Sequence, residues 1–383
     1  MNPYSRLVPR LNGKEIEERF DYYLGLVKKG VAGFIIFGGE LETVREGIRR
    51  LQSAADHPLI IASDLEQGLG QQIEGGTVFP PAMAIASAIK KLGKENAEHL
   101  LKELYTAFAL EARYAGINTI FAPVLDVNTN PDNPIIATRA FGEDPETVSF
   151  FGCEMVKTLQ DKGIIACGKH FPGHGDTEID SHIGLPLVRK DRAVLEDTEL
   201  VPFKRAISEG VKMIMLGHLS VPAIDPSEKP ATISEEIISY LRTKLDFKGI
   251  VISDAMNMGA LAGYDENEAS LMALRAGVDI ILHPSDPGSV ASYLHKKNWK
   301  SVPLPPLVLQ GGGKQNQPEL SRHQRLSDEL SRSAVSLQGE TALSITKPFV
   351  AILKEDSQDR AGFFVDVMKE RFGNFGHIEM GPD

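Results

Sequence analysis

Eight short apolar runs, each followed by an amphipathic stretch, constrain this 383-residue chain more than any other feature. They fall at residues 5–10, 32–37, 59–63, 118–122, 164–167, 212–216, 249–253 and 279–283. A nearly continuous apolar run is the mark of a strand buried on both faces, as in a parallel sheet covered by helices. The helical stretches are clearly punctuated. Asp144 and Pro145 supply an N-cap and a first-turn proline ahead of Val148, Phe151, Met155 and Leu159, and Gly163 follows as the stop. Ile16, Phe20, Leu24 and Val27 repeat the helical spacing and Gly30 closes it. Eight strand–helix units predict an α/β chain whose first 297 residues close into a (β/α)8 TIM-like barrel. No Gly-x-Gly-x-x-Gly follows an early strand, which speaks against an open dinucleotide-binding sheet.

The pattern breaks near Asn298. Pro303, Pro305, Pro306 and three glycines at 311–313 mark a linker over 298–318. Beyond it, 324–335 reads as helix, 349–353 as strand and 362–372 as helix. The segment 319–383 is thus expected to be a partial or truncated α/β C-terminal domain, too short for a sheet of ordinary size.

A formal net charge of -11 excludes the basic surface that phosphate binding needs, so no nucleic-acid partner is expected. No apolar run approaches the roughly 20 residues that span a bilayer, so membrane insertion is not expected either. Cys153 and Cys167 fall in a helix and a strand, as reduced core residues would. No charged-then-apolar segment opens the chain, which makes the cytoplasm the expected location; a chain that had lost a leader would look the same. The oligomeric state carries no signal. A small neutral substrate fits the acidic balance.

Chemistry concentrates where strands end. Lys169, His170, His174, Asp176, Asp180 and His182 follow the fifth run, and a loop at the C-terminal edge of a parallel strand is where such folds place active sites. Two readings of the histidines compete. His170, His174, His182 and Asp176 are donors suited to a divalent metal. Alternatively, Asp180 and His182 form a carboxylate–imidazole pair in which the acid fixes the tautomer and the other ring nitrogen delivers a proton. Asp64 and Glu66 follow the third run, Asp126 the fourth and Asp254 the seventh. With Lys169 and Arg139 they would line one barrel mouth with groups able to grip adjacent hydroxyls.

KHFPGHGDT at 169–177 and DSHIGLP at 180–186 together resemble the signature of family 3 glycoside hydrolases, in their β-N-acetylglucosaminidase branch. NPIIATRAFGEDP at 133–145 and GIVISDAMNMGAL at 249–261 support the resemblance, which covers residues 5–295. It implies that Asp254 is the nucleophile of a retaining mechanism and that His182 with Asp180 is the general acid/base dyad. It further implies that Asp64, Arg139, Lys169 and His170 hold the terminal sugar, that Met256 walls the pocket, and that His174 and Asp176 shape the loop. No metal and no other cofactor are implied. The expected reaction removes terminal N-acetylglucosamine from peptidoglycan- or chitin-derived glycans. A metal-dependent barrel hydrolase and a catalytically silent sugar-binding module are the other two function classes. One departure stands out: residues 64–72 lack the acidic-Gly-Gly pattern and following Arg common in the family.

Overall fold

The computed structural model describes residues 2–178, 180–181, 183–300, 302–307 and 316–334. Its sheet consists of β1 (Leu7–Val8), β2 (Arg10–Asn12), β3 (Gly33–Phe37), β4 (Ile60–Ser63), β5 (Thr119–Ile120), β6 (Ile165–Phe171), β7 (Met213–Leu216), β8 (Ile250–Ala255) and β9 (Ile280–Leu282). The helices are α1 (Phe20–Lys28), α2 (Leu41–Ala54), α3 (Ala82–Ile89), α4 (Lys94–Ala115), α5 (Pro145–Asp161), α6 (Arg192–Asp197), α7 (Leu200–Ser208), α8 (Glu235–Ser239), α9 (Glu266–Ala276), α10 (Pro287–Lys296) and α11 (Leu320–Ala334).

All neighbouring strands are parallel, in the order β1-β9-β8-β7-β6-β5-β4-β3-β2. The two ends of that order, β1 and β2, are consecutive in the chain and separated by Pro9. They form one interrupted stave that closes the ring, giving the (β/α)8 barrel. The first strand was expected at 5–10 and is instead split. Proline has no N–H to offer a ladder, so pairing passes from β9 to β3 across it. The first helix also starts later than its periodicity suggests. Asn12 caps a short 3-10 turn at Gly13–Glu15, and regular helix begins at Phe20, although Ile16 is buried as expected. In α5 the anticipated signals operate: the Asp144 side chain accepts the Thr147 N–H, Pro145 opens the helix, and Gly163 leaves it at φ 78°.

Strand alternation sorts the core into two shells. Ile35, Ala62, Cys167, Met213, Met215, Ile252 and Leu282 belong to the cluster that fills the barrel. Their neighbours Phe34, Ile36, Ile61, Ala166, Ile214 and Val251 face the helices. Two strands run further than the apolar pattern indicates, since β6 includes Lys169 and His170 and β8 includes Asp254. These polar residues were expected on loops or at strand ends; they stand on the sheet itself. Helix α11 packs along α3 and α4, with Leu326 and Leu330 buried. The strand at 349–353 and helix at 362–372 lie outside the described residues. Among the described residues no helix is long and apolar enough to cross a membrane.

Candidate active site

Continuing each interior column by one more alternation reaches the mouth of the barrel. Phe37 lies two residues past Ile35, Asp64 two past Ala62, Lys169 two past Cys167 and Asp254 two past Ile252. All four line a cavity of about 440 Å³ at the C-terminal ends of the strands. His170 joins them where the pairing register of β6 shifts between Gly168 and Phe171.

One wall is a neutral ion cluster. Lys169 Nζ lies 2.8 Å from Asp64 Oδ1 and 2.7 Å from Glu66 Oε1. Arg139 grips Glu66 with two N–H donors, Nε to Oε2 at 2.9 Å and a terminal nitrogen to Oε1 at 2.8 Å. Two carboxylates thus face two cations. Burial alone would raise the Glu66 carboxyl, but Arg139 and Lys169 outweigh it and hold the group far below the usual carboxylate range. Burial would discharge Lys169, and Asp64 and Glu66 override it, keeping the ammonium charged. Arg139, 73 residues further along the chain, brings a guanidinium to Glu66 of the 64–72 loop.

Beneath this wall, the fully buried Asp126 gathers the strand-end turn. It accepts the His170 N–H at 3.1–3.2 Å, the His170 ring Nδ1–H at 2.7 Å and the His174 N–H at 2.7 Å. His174 Nδ1 lies 2.7 Å from Thr177 Oγ1, and the same hydroxyl lies 3.0 Å from the His174 carbonyl, which ties the ring to its own turn. Burial, with His170 nearby, lowers the His174 ring to about 4 and keeps it neutral. Among the described residues its buried Nε2 has no hydrogen-bond partner, and the residue lines the cavity. Asp176 accepts a hydrogen bond from Thr129 Oγ1 at 3.1 Å and pairs with Lys190 at 3.2 Å.

The opposite wall holds Asp254. Among the described residues its carboxylate accepts one hydrogen bond, from Ala255 N–H at 2.7 Å. Burial would raise its pKa, but His170, His218, the Ala255 N–H and Lys169 hold it below the ordinary value of 3.8. His218 Nε2–H, 2.9 Å from the Ala255 carbonyl, pins the end of β8. Asp254 is therefore an ionised, lightly bonded carboxylate facing a cavity, the state required of a nucleophile.

Met256 does not share this wall. It is 2% exposed and packs in the shell between sheet and helices, because β8 ends at Ala255 and the alternation stops there. Asn257 and Met258 line the cavity in its place. His182 lies outside the described residues. Asp180, half-buried, opens a turn in which its carbonyl accepts the N–H groups of Ile183 and Gly184 at 2.9 and 3.1 Å. Ser181 lines the cavity, and its carbonyl accepts Ala260 N–H at 3.0 Å, joining this loop to the one after β8. Among the described residues no group of three or more His, Cys, Asp or Glu is arranged to hold a metal. Gln67, Gln71 and His283 also line the cavity and carry no motif signal in the sequence.

A parallel barrel with charged groups at its C-terminal mouth hosts many enzyme chemistries, and the comparisons with known proteins supply the class. The glycosyl hydrolase family 3 N-terminal domain matches residues 19–301. The chain belongs to this family. It is 36% identical over 277 residues to a beta-hexosaminidase A of Pseudoalteromonas piscicida, a match covering 66% of this chain and 46% of that one. A beta-hexosaminidase of Nitrosomonas eutropha is 31% identical over 275 residues, covering 70% of this chain and 78% of the relative. Among solved structures, a family 3 beta-N-acetylglucosaminidase from a Paenibacillus species superposes with a TM-score of 0.74 at 30% identity, over 88% of this chain and 70% of that one. The chain thus spans less than half of the Pseudoalteromonas relative and most of the Nitrosomonas one.

Proposed function

We propose that the chain is a retaining, exo-acting β-N-acetylglucosaminidase that releases terminal N-acetylglucosamine from peptidoglycan- or chitin-derived glycans. One observation carries the reading: a charge-balanced cluster able to fix sugar hydroxyls faces an ionised carboxylate that accepts a single hydrogen bond among the described residues. The relatives' names supply the sugar.

Asp64, Arg139, Lys169 and His170 hold the terminal ring so that its anomeric carbon meets Asp254. An Asp254 oxygen attacks that carbon. The glycosidic C–O bond breaks as His182, protonated and steadied by Asp180, transfers its proton to the departing oxygen. The freed imidazole then takes a proton from water, which attacks the glycosyl ester, returns Asp254 as a carboxylate and leaves the β-anomer. No step requires a metal.

The test compares aryl N-acetyl-β-glucosaminides with aryl β-glucosides for wild type, Asp254→Ala and His182→Ala. The expected outcome is preference for the N-acetylated series, loss of turnover in Asp254→Ala, and a His182→Ala defect that grows as the leaving group worsens. An Asp254→Ala protein with wild-type rates would overturn the assignment. Turnover abolished by exhaustive chelation and restored by a divalent metal would favour the metal-dependent reading. A folded wild type that binds the sugar without cleaving any of these glycosides would instead mark a binding module.

A further inference from the structure

We propose that helix α11, which lies beyond the stretch matched by the family, is a positioning element for the cavity wall that carries Glu66, Gln67 and Gln71. The observation is a fully buried carboxylate, Glu111 on α4, shared between that wall and the helix. Its Oε2 accepts Thr77 N–H at 2.8 Å, and its Oε1 accepts both Thr77 Oγ1–H and His323 Nδ1–H at 2.6 Å. Thr77 belongs to the returning limb of the loop after β4, and His323 belongs to α11.

The returning limb is bonded to the limb that faces the cavity. The Thr77 carbonyl accepts Gly70 N–H at 2.9 Å, and Phe79 N–H reaches the Gln67 carbonyl at 2.8 Å. Within the facing limb, Gln67 N–H is held by Gln71 Oε1 at 2.9 Å. A second tie from the helix runs from Ser327 Oγ to the Val78 carbonyl at 2.7 Å. Gly68 sits at φ 83° where a Cβ would lie 2.7 Å from the Phe79 ring and 2.9 Å from the Thr77 carbonyl, so the limbs touch along their length. At its tip the loop is also tied to the segment leading into α2, where Glu74 N–H reaches the Gly39 carbonyl at 2.9 Å and Leu41 N–H the Glu74 carbonyl at 3.0 Å. A buried carboxylate that lost one of its donors would stay desolvated with less to satisfy it, which makes each donor count for more than a surface hydrogen bond. Removing the His323 donor is therefore expected to loosen Thr77, and through Gly70 and Gln67 the wall itself.

The inference rests on the glycosidase reading only for its kinetic arm. Hydrogen exchange of residues 65–79 in the full chain is read without substrate. His323→Ala should speed exchange there by roughly tenfold, and KM for an aryl N-acetylglucosaminide should rise about five- to tenfold with kcat within about twofold, since the wall binds sugar and does no chemistry. His323→Asn, which retains a donor near the Nδ1 position, should recover most of both effects. Arg322→Ala removes only the exposed pair with Glu103 at 2.7 Å and should change neither. If His323→Ala does not fold, Ser327→Ala serves as the weaker cut. Unchanged exchange at 65–79 in a folded variant overturns the clasp, and faster exchange with unchanged KM overturns its link to the site. Faster exchange in a chain whose wild type turns over no glycoside would leave the clasp standing and sink the glycosidase reading alone.

Discussion

The two walls of the cavity solve opposite problems. The wall built from the ends of β4 and β6 with Arg139 pairs its charges: Lys169 with Asp64 and Glu66, and Arg139 with Glu66 through two parallel bonds. The wall built from the end of β8 presents Asp254 with, among the described residues, one backbone hydrogen bond, beside Ala255, Asn257 and Met258. A fully paired cluster is rigid and its charges are fixed before any ligand arrives, which suits recognition. A carboxylate with no ion-pair partner among the described residues, bonded there by one backbone N–H, keeps an oxygen available for attack. The difference teaches that pre-organisation and reactivity are separated within one mouth by how many partners each acid has.

The comparison breaks most sharply at Asp254. Asp254→Asn keeps the shape and removes the proposed nucleophile, so kcat should fall by about 10⁴-fold or more while KM and thermal stability stay near wild type. Steady-state rates with a melting curve check this. The opposite wall should respond in both quantities. Lys169→Met leaves Glu66 buried with one cation fewer, and breaking such a buried pair costs about 3–5 kcal/mol. Denaturant unfolding should show that loss together with a kcat/KM lower by about 10²-fold.

A smaller effect lies beneath the walls. His174 is held neutral with its pKa lowered from 6.5 to about 4, so the unfolded chain takes up a proton before the folded one does. Stability is then fully present above about pH 6.5 and is lost as pH falls towards 4, by at most about 3 kcal/mol. Unfolding free energies measured across that window should fall in wild type and fall less in His174→Asn. The smallest change is Met256→Leu. In a core shell, a swap of similar volume costs under about 1.5 kcal/mol and should leave KM unchanged. A KM that moves with Met256 would return that residue to the cavity wall.

Much of this was legible in the sequence, and the reasons differ by residue. The barrel followed from repeated buried strands, and α5 from Asp144, Pro145 and Gly163. Asp64, Lys169 and Asp254 were visible as polar residues ending apolar runs, because strand alternation carries an interior column to the mouth. What local pattern does not encode is closure across the chain. Glu66 and Arg139 meet over 73 positions, and His323 reaches Glu111 over 212. The split of the first strand at Pro9 required knowing that β9 and β3 would flank it. Met256 was placed on the pocket wall by the family resemblance, whereas β8 ends at Ala255 and the side chain packs in the shell between sheet and helices.

The central claim is that Asp254 becomes covalently bonded to the sugar, and peptide mapping after a rapid acid quench tests it most directly. The protein to use is His182→Ala turning over an aryl N-acetylglucosaminide with a good leaving group, where loss of the base should slow release and let the ester accumulate. The account predicts one N-acetylhexosaminyl group on the peptide containing Asp254. The same group on a peptide bearing another carboxylate, or turnover with no adduct and release of the α-anomer first, would contradict it.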